Sequence, residues 1–273
     1  MAALLRLIRA PNLLIAAAGV LAGGWIALTD IAAPKELVYA ALSGFALGAA
    51  GNTWNDVRDV AADRINRPGT RPLAAGLVRR GTADLVLFAG ALAGLGFAGL
   101  VSGWQVVTAL AALGVMLVYS PLLKPVPVLG NLAVAVVAGS APFYGALAVD
   151  RPAAGIVPWI LAAWLHFVRE VVKDLEDEPG DRAIHRRTLP ITVGRRPAMV
   201  IAAGAALLFV PASLLLPKSA GYTGAYFLIA LPVQMAVLLA ATWLLIGKVE
   251  RVSALLKGAM VIGVVALIMG KAA

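Results

Sequence analysis

Residues 52–73 read NTWNDVRDVAADRINRPGTRPL, and residues 169–182 read REVVKDLEDEPGDR. The two stretches place aspartates at the same internal spacing, with a constant offset of 118 positions (for example, 174 − 56). The six aspartates are Asp56, Asp59, Asp63, Asp174, Asp177 and Asp181. The chain has only fourteen acidic residues, and nine of them fall in these stretches. The acids are therefore concentrated in one duplicated motif.

The spacing within each stretch predicts a helix with one polar face. At about 100° per residue, positions three, four and seven residues apart point the same way. The residues that share a face are Asn52, Asp56, Asp59 and Asp63 in the first stretch, and Glu170, Asp174 and Asp177 in the second. Pro179 and Gly180 predict a break in the second helix before Asp181.

The composition around these motifs is that of a membrane protein. Hydrophobic residues make up 61% of the chain, charged residues only 14%, and the mean hydropathy is +0.90, whereas soluble domains carry roughly 25% charged residues. Lipid offers no hydrogen bonds to the backbone, so long apolar runs without two-residue alternation predict helices. Nine spans are predicted, at 11–29, 36–55, 82–101, 105–121, 129–149, 153–172, 196–217, 222–246 and 252–270. The expected fold is all-α: a single-domain polytopic membrane bundle of nine transmembrane helices, residues 1–273, with an internal duplication.

The basic residues predict the orientation of this bundle. If the N-terminus is cytoplasmic, 18 of the 23 Lys and Arg residues lie in cytoplasmic segments, four lie outside, and Lys257 lies within a span. The positive-inside rule then places both acidic stretches on the cytoplasmic side of the cell membrane. The same distribution argues against nucleic-acid binding, because the net charge of +9 is not gathered on a soluble face. The first span alone could be a signal peptide, but eight further spans favour a membrane segment.

The acidic stretches favour a cation or phosphate site. Carboxylates held close together in a partly desolvated site either retain protons or recruit cations. Oxygen ligands, with no His or Cys in either stretch, favour a hard cation such as Mg²⁺. The alternative is that each cluster only forms salt bridges with neighbouring arginines. One isolated cluster would leave the two interpretations balanced, but two copies in register favour a functional site.

These motifs resemble those of the UbiA-type intramembrane prenyltransferases. The resemblance rests on NDxxDxxxD at 55–63, RINRP at 64–68, RPL at 71–73, and a second aspartate-rich motif after six spans. Within that family, REVVKDLED at 169–177 and TLPI at 188–191 are most similar to the archaeal-type digeranylgeranylglyceryl phosphate synthases. The stretch YSxxLK at 119–124, with GN at 130–131, points to the same subgroup.

The resemblance implies Mg²⁺-dependent transfer of a geranylgeranyl group from a prenyl diphosphate to the hydroxyl of geranylgeranylglyceryl phosphate, a lipid-phosphate acceptor, with release of diphosphate. The implied metal ligands are Asn52, Asn55, Asp56, Asp59, Asp174 and Asp177. Catalytic roles fall to the six aspartates; Asp63 and Asp181 are candidate general bases, and proton loss to diphosphate or water is the alternative. The implied substrate-binding residues are Arg9, Asn12, Asn52, Asn55, Arg67, Arg71, Tyr119, Lys124, Glu170, Lys173 and Arg182. Membrane lipids are the expected surroundings, and no protein partner is implied.

The acceptor is the least determined part of this expectation. A phosphate-bearing acceptor needs a second basic site, for which the sequence offers Arg9, Arg182, Arg186 and Arg187. An aromatic-acceptor prenyltransferase of quinone or pigment biosynthesis would share the diphosphate chemistry. A non-catalytic prenyl-lipid binding protein would not need both acidic clusters. A membrane transporter is compatible with a duplicated helical block, but transport sites lie near the bilayer midplane and not at span ends.

Small residues at helical spacing predict close contact between helices. The patterns Gly19-x-x-x-Gly23 and Gly90-x-x-x-Gly94 lie within predicted spans. Small side chains allow helix backbones to approach closely in a membrane.

Overall fold

The computed structural model describes residues 1–28 and 34–271, and every regular element in these ranges is a helix. The α-helices are α1 (Ala2–Leu7), α2 (Ala10–Ala27), α3 (Lys35–Arg58), α4 (Val60–Asn66), α5 (Arg80–Gly99), α6 (Gly103–Val118), α7 (Leu129–Gly139), α8 (Ala141–Leu147), α9 (Ile156–Ala183), α10 (Leu189–Val193), α11 (Arg195–Ser219), α12 (Gly224–Leu245) and α13 (Val252–Met269). A π-helical turn, Tyr119–Leu123, continues α6, and a 3-10 turn, Pro152–Gly155, precedes α9. The all-α prediction is confirmed.

The number of spans differs from the prediction. In the described residues, seven helices are long and apolar enough to cross a membrane, or up to eight if the bent pair α7 and α8 forms one span. The predicted count of nine is therefore not confirmed. The predicted span 36–55 corresponds to α3, whose 24 residues reach about 36 Å but include many polar side chains. The predicted end of the first span, residue 29, lies outside the described residues.

The pair α7 and α8 meets at a bend of 44°. Pro142 lies in the first turn of α8, where its missing N–H costs no helical hydrogen bond. Gly139, at the end of α7, packs so closely on the backbone of Ala163 in α9 that a Cβ would not fit. The bend therefore brings α7 against α9.

Close helix contacts occur at the small residues that the sequence singled out. Gly23 in α2 lies against the backbone of Pro142 in α8, and Gly94 in α5 lies against Leu47 in α3. A Cβ at either glycine would overlap its neighbour. The prediction of close packing at these two patterns is confirmed.

Large apolar side chains cover the outside of the bundle. Phe88 and Leu92 on α5 are 70% and 76% exposed, and Leu228 on α12 is exposed to a similar degree. The main buried cluster is formed by α9, α11, α12 and α13, with Val171, Ala202 and others fully buried. An apolar outer surface of this kind is suited to contact with lipid.

Helix α9 continues through Pro179, so the predicted break before Asp181 is wrong. Proline cannot donate to the carbonyl four residues earlier, and that oxygen, on Leu175, accepts instead from Arg195 at 2.8 Å. Asn66 in α4 forms two further hydrogen bonds with the backbone of α9 next to the proline. Its Oδ1 accepts from the Gly180 N–H at 2.7 Å, and its Nδ2 donates to the Asp177 carbonyl at 2.8 Å. External partners for the backbone groups around the proline therefore keep Asp181 on the helix.

Candidate active site

The first acidic stretch forms the junction of α3 and α4. Helix α3 ends at Arg58, Asp59 is the residue between the two helices, and α4 begins at Val60. The Asp59 N–H donates to the Asn55 carbonyl and the Asp63 N–H to the Asp59 carbonyl, so the helical hydrogen-bond pattern continues on both sides of Asp59. Asp56 is only 1% exposed, and Asp63 is also buried.

The second acidic stretch lies on the last three turns of α9. Asp174 and Asp181 are buried, and Asp177 is partly buried. Helix α4 packs on this part of α9, and Gly180 permits the contact because a Cβ there would overlap Asn66 and the Ala62 carbonyl. The two acidic stretches are thereby brought together, and their six aspartates are called the aspartate cluster below.

Two cations join the two halves of the aspartate cluster at one end. Lys124 Nζ lies 2.9 Å from Asp59 and 4.0 Å from Asp181. Arg186 donates from NH2 to Asp59 at 2.8 Å and from NH1 to Asp181 at 3.0 Å. Both cations therefore neutralise one carboxylate from each half.

A third cation, Arg67, also pairs with one aspartate from each acidic stretch. Arg67 lies 2.6 Å from Asp177 and 3.6 Å from Asp63. Arg71 lies between Asp56, at 3.7 Å, and Asp63, at 3.6 Å. The arginines of the RINRP and RPL motifs are thus directed into the cluster.

Arg9 reaches the cluster from the junction of α1 and α2. Its backbone adopts a left-handed conformation at the N-cap of α2, and its guanidinium donates to Asp56 at 2.6 Å and to Asn52 at 3.2 Å. Asn52 in turn donates to the Ile8 carbonyl at 2.9 Å. Asn12 lies one turn further along α2 and lines the same cavity.

Burial and neighbouring charges together set the pKa values of the residues around the α3–α4 junction. Burial raises the pKa of Asp59, but the charges of Lys124 and Arg186 outweigh it and hold the pKa below its usual value. For Asp63, burial outweighs the attraction of Arg71, and the pKa is raised. Burial lowers the pKa of Arg186, but Asp59 and Asp181 outweigh it and the pKa is raised. Asp59 and Arg186 are therefore held as an ion pair.

The π-helical turn after α6 positions Tyr119 and Lys124. The Lys124 N–H donates to the Tyr119 carbonyl, five residues earlier, at 2.7 Å, and such turns recur at functional sites. Ser120, in the same turn, donates to Asn55 Oδ1 at 3.0 Å. Tyr119 is buried and lines the cavity next to the cluster.

An apolar cavity of about 680 Å³ extends from the aspartate cluster into the bundle. Its polar end includes Asp59, Asp63, Arg67, Arg71 and Lys124. Its remaining wall is mostly small or apolar and includes Leu13, Ala16, Gly48, Ala112, Val115, Met116, Val137, Leu161, Phe209 and Met260. The cavity therefore combines a charged head-group end with a long apolar chamber.

The cluster has the oxygen donors of a hard-cation site, although the described residues contain no group of three or more His, Cys, Asp or Glu side chains placed to hold a metal ion. Within the described chain, Asp56 Oδ2 and Asp181 Oδ2 are buried and have no hydrogen-bond partner. Asp174 Oδ2 accepts from Asn131 at 2.7 Å. Carboxylate and amide oxygens without nitrogen or sulfur ligands fit Mg²⁺, so the donor chemistry is suitable for this ion.

The structure does not bring every predicted residue to the cluster. The side chain of Arg182 is 64% exposed and pairs with Glu178 at 2.7 Å, outside the cavity lining. Glu170 and Lys173 line the cavity but pair with each other at 3.0 Å. All other predicted substrate-binding residues line the cavity.

Three contributors were not among the predicted site residues: Arg186, Asn131 and Asn66. Arg186 had been considered only for an acceptor phosphate, because a loop residue has no helical register that relates it to the aspartates. Asn131 is a buried amide within an apolar stretch, and that is the signal that could have identified it. Asn66 belongs to the RINRP motif, but the sequence alone does not show that α4 packs on α9, where Asn66 forms its hydrogen bonds.

These features define a polytopic membrane protein with a charged site for an anionic head group at the end of an apolar cavity. The chain belongs to the UbiA prenyltransferase family, whose model matches residues 16–263. It is accordingly a membrane prenyltransferase, and the transporter and non-catalytic alternatives are set aside.

Two similar relatives carry the same name. The chain is 36% identical to the digeranylgeranylglyceryl phosphate synthase of Thermococcus kodakarensis, over 97% of this chain and 96% of that protein. It is 35% identical to the protein of the same name from Natronomonas pharaonis, over 96% and 95% of the two chains. These similarities support prenyl transfer in ether-lipid biosynthesis.

Solved structures share the fold. A structure of a digeranylgeranylglyceryl phosphate synthase has a TM-score of 0.77 at 25% identity and covers 98% of this chain and 97% of that one. A UbiA homolog from Aeropyrum pernix has a TM-score of 0.81 at 18% identity, covering 93% and 96%. A UbiA homolog from Archaeoglobus fulgidus, bound to GPP and Mg²⁺, has a TM-score of 0.69 at 19% identity, covering 98% of each chain.

Proposed function

We propose that the protein transfers a geranylgeranyl group from geranylgeranyl diphosphate to the free hydroxyl of geranylgeranylglyceryl phosphate, in a reaction that depends on Mg²⁺. The observation that carries the proposal is that three residues of the aspartate cluster, Asp59, Asp63 and Asp177, line the polar end of an apolar cavity. The names of the relatives support the choice of donor and acceptor.

The charge balance of the cluster supports a need for additional cations. Five of the six aspartates form salt bridges with five cations, Arg9, Arg67, Arg71, Lys124 and Arg186, and Asp174 accepts a hydrogen bond from Asn131 instead. The formal charge is therefore −1 before a diphosphate binds. Asn52, Asn55, Asp56 and Asp59 on one side, and Asp174 and Asp177 on the other, are the residues that would hold Mg²⁺. When bound, this ion would neutralise the diphosphate leaving group.

The basic residues of the cluster would bind and orient the diphosphate. Arg67 and Arg71 present guanidinium forks that match phosphate oxygens, and Lys124 contributes a compact charge. Lys124 directly follows the π-helical turn, and its N–H donates to the Tyr119 carbonyl, so its position is tied to that of Tyr119, whose hydroxyl is a further donor. These groups would stabilise the charge that develops on the leaving oxygen as the bond to the prenyl carbon breaks.

The apolar wall of the cavity would hold the isoprenoid chain and exclude water. The prenyl carbon that loses diphosphate would form a bond with the acceptor hydroxyl oxygen, and that hydroxyl would lose its proton. Asp63 and Asp181 are the proposed proton acceptors. Excluding water from the chamber protects the electron-deficient prenyl group from hydrolysis.

The proposed orientation places the N-terminus and the aspartate cluster on the cytoplasmic side of the cell membrane. It is supported by the distribution of basic residues between the segments that join the spans. A soluble diphosphate-bearing donor would then reach the site from the cytoplasm.

Incubation of the purified full-length protein with Mg²⁺, labelled geranylgeranyl diphosphate and single acceptors tests the proposal. We expect label in a digeranylgeranylglyceryl phosphate product and release of diphosphate in equal amount. Label that appears only with hydroxybenzoate or another aromatic acceptor would assign the protein to the aromatic branch of the family. Absence of product with every acceptor would contradict the proposed reaction.

A further inference from the structure

Three further cations line the cavity away from the aspartate cluster. Arg169 and Lys173 lie one turn apart on α9, and Lys257 lies on α13, which packs against α9. These three residues are called the basic triad. Lys257 is a lysine within a candidate membrane span, and an ionisable residue at that depth is usually functional.

The basic triad is not neutralised by the protein. Glu170 is its one carboxylate partner in the described chain: Lys173 contacts it at 3.0 Å, and Arg169 lies at 3.8 Å. Lys257 forms no salt bridge with residues 1–28 or 34–271, and the buried Nε of Arg169 has no hydrogen-bond partner there. Three cations against one carboxylate leave a formal excess of two positive charges. Such an excess inside a helix bundle is costly unless an anion neutralises it.

The spacing along α9 relates the basic triad to the aspartate cluster. Asp174 follows Glu170 by four residues, which is about one helical turn or 5.4 Å. An anion held midway between Arg169 and Lys173 would therefore lie roughly one turn along α9 from Asp174, which the proposed function assigns to the metal that binds the diphosphate of the donor. That separation is similar to the length of a glycerol unit between its phosphate and its free hydroxyl.

The basic residues that the sequence offered for this role lie elsewhere. Arg182 is exposed and paired with Glu178, and Arg187 is exposed. Arg9 and Arg186 are paired with aspartates of the cluster. The basic triad is the cationic group of the cavity that retains a charge excess.

We infer that the basic triad binds the phosphate monoester of the acceptor lipid and so directs the enzyme to phosphorylated glycerol acceptors. The inference rests on the proposed function and adds its specificity determinant. A phosphate monoester carries about −1.5 to −2 charge at neutral pH, which matches the excess of the triad. A carboxylate of an aromatic acceptor, or the phosphodiester of a membrane phospholipid, carries one charge and matches it less well.

Equilibrium binding to the full-length protein in detergent, without donor, tests this inference. The probe is labelled geranylgeranylglyceryl phosphate, and the competitors are geranylgeranylglycerol and phosphatidylglycerol. We expect the probe to bind at least about tenfold more tightly than either competitor, because only the probe carries a phosphate monoester that can form charge-assisted hydrogen bonds with the triad. Equal competition by phosphatidylglycerol would identify a membrane-lipid site and overturn the inference.

Substitution of Lys257 provides the residue-level test. Lys257→Met is expected to weaken probe binding about tenfold and to raise the KM for the acceptor, with the KM for geranylgeranyl diphosphate unchanged. Lys257→Arg should retain much of the binding. The matched control is Lys248→Met, an exposed lysine in the loop before α13, which should bind the probe as the unsubstituted protein does.

The results separate this inference from the proposed function. Unchanged probe binding and acceptor KM in Lys257→Met would overturn the inference, while turnover of the same acceptor by the unsubstituted protein would leave the proposed reaction intact. If Lys257→Met weakens probe binding but the unsubstituted protein transfers no prenyl group to the probe, the proposed reaction is contradicted while the inferred phosphate site is supported.

Discussion

Arg186 donates a 2.8 Å hydrogen bond to Asp59, so the loop after the second acidic stretch is joined directly to the end of the first. The same guanidinium donates to Asp181 at 3.0 Å. A single side chain therefore couples α9 to the α3–α4 junction.

Replacement of Arg186 should reduce both stability and activity. Arg186→Met removes one of the two cations shared by Asp59 and the buried Asp181 and leaves Lys124 as the other; the loss of one member of a buried ion pair costs up to about 3–5 kcal/mol. We expect a lower free energy of unfolding in detergent and a lower kcat. Arg187→Met, at the exposed neighbouring position, is the control, and an equal effect of both substitutions would contradict the assigned role.

The two halves of the aspartate cluster should both be needed for turnover. Asp56→Asn and Asp174→Asn preserve side-chain size but remove charge on opposite sides of the cluster. Each should lower kcat at least about 100-fold, the scale of losing an electrostatic contact to the transition state. Steady-state kinetics would measure this. Asp84→Asn is the control, because among the described residues Asp84 forms its salt bridge with the exposed Arg80. A full rate in either cluster variant would disprove the two-sided arrangement.

Asn66 should stabilise α9 without direct contact with substrate. Asn66→Ala removes the acceptor of the Gly180 N–H and the donor to the Asp177 carbonyl. Leaving a buried backbone group unpaired costs about 1–3 kcal/mol, and a thermal unfolding measurement in detergent should show a lower midpoint. Thr70→Ala, which removes an exposed hydroxyl from the following loop, should leave the midpoint unchanged. Equal midpoints for the two variants would argue against support of α9 by Asn66.

Removal of divalent cations should stop the reaction reversibly. The donor set of the cluster suits Mg²⁺, and its five basic partners leave a net negative charge that a diphosphate would increase. Chelation with EDTA is expected to abolish product formation, and added Mg²⁺ should restore it. Asp174→Asn should raise the Mg²⁺ concentration needed for half of its residual maximal rate. Full activity after exhaustive chelation would be incompatible with the proposed dependence on Mg²⁺.

Much of the site follows from sequence because its residues are related by helical register. The spacing of Asp56, Asp59 and Asp63, and its repetition on α9, places the aspartates on defined helix faces, and the fold brings those faces together. The arginines of the adjoining motifs are close in sequence to the aspartates with which they pair. Such local relationships can be read before the tertiary structure is known.

The parts that sequence did not predict depend on contacts between distant segments. The break expected at Pro179 does not occur because Asn66 and Arg195 satisfy the backbone groups around it. The role of Lys257 requires knowledge that α13 packs beside α9. The count of nine spans is not confirmed because α3 is long enough to span a membrane but its composition is too polar.

The central claim is most directly tested by competition between acceptors in one reaction. Purified protein would receive labelled geranylgeranyl diphosphate, Mg²⁺, and equal concentrations of geranylgeranylglyceryl phosphate and hydroxybenzoate, and both products would be separated and counted. We expect nearly all the label to enter digeranylgeranylglyceryl phosphate. Label that enters mainly the aromatic product would contradict it.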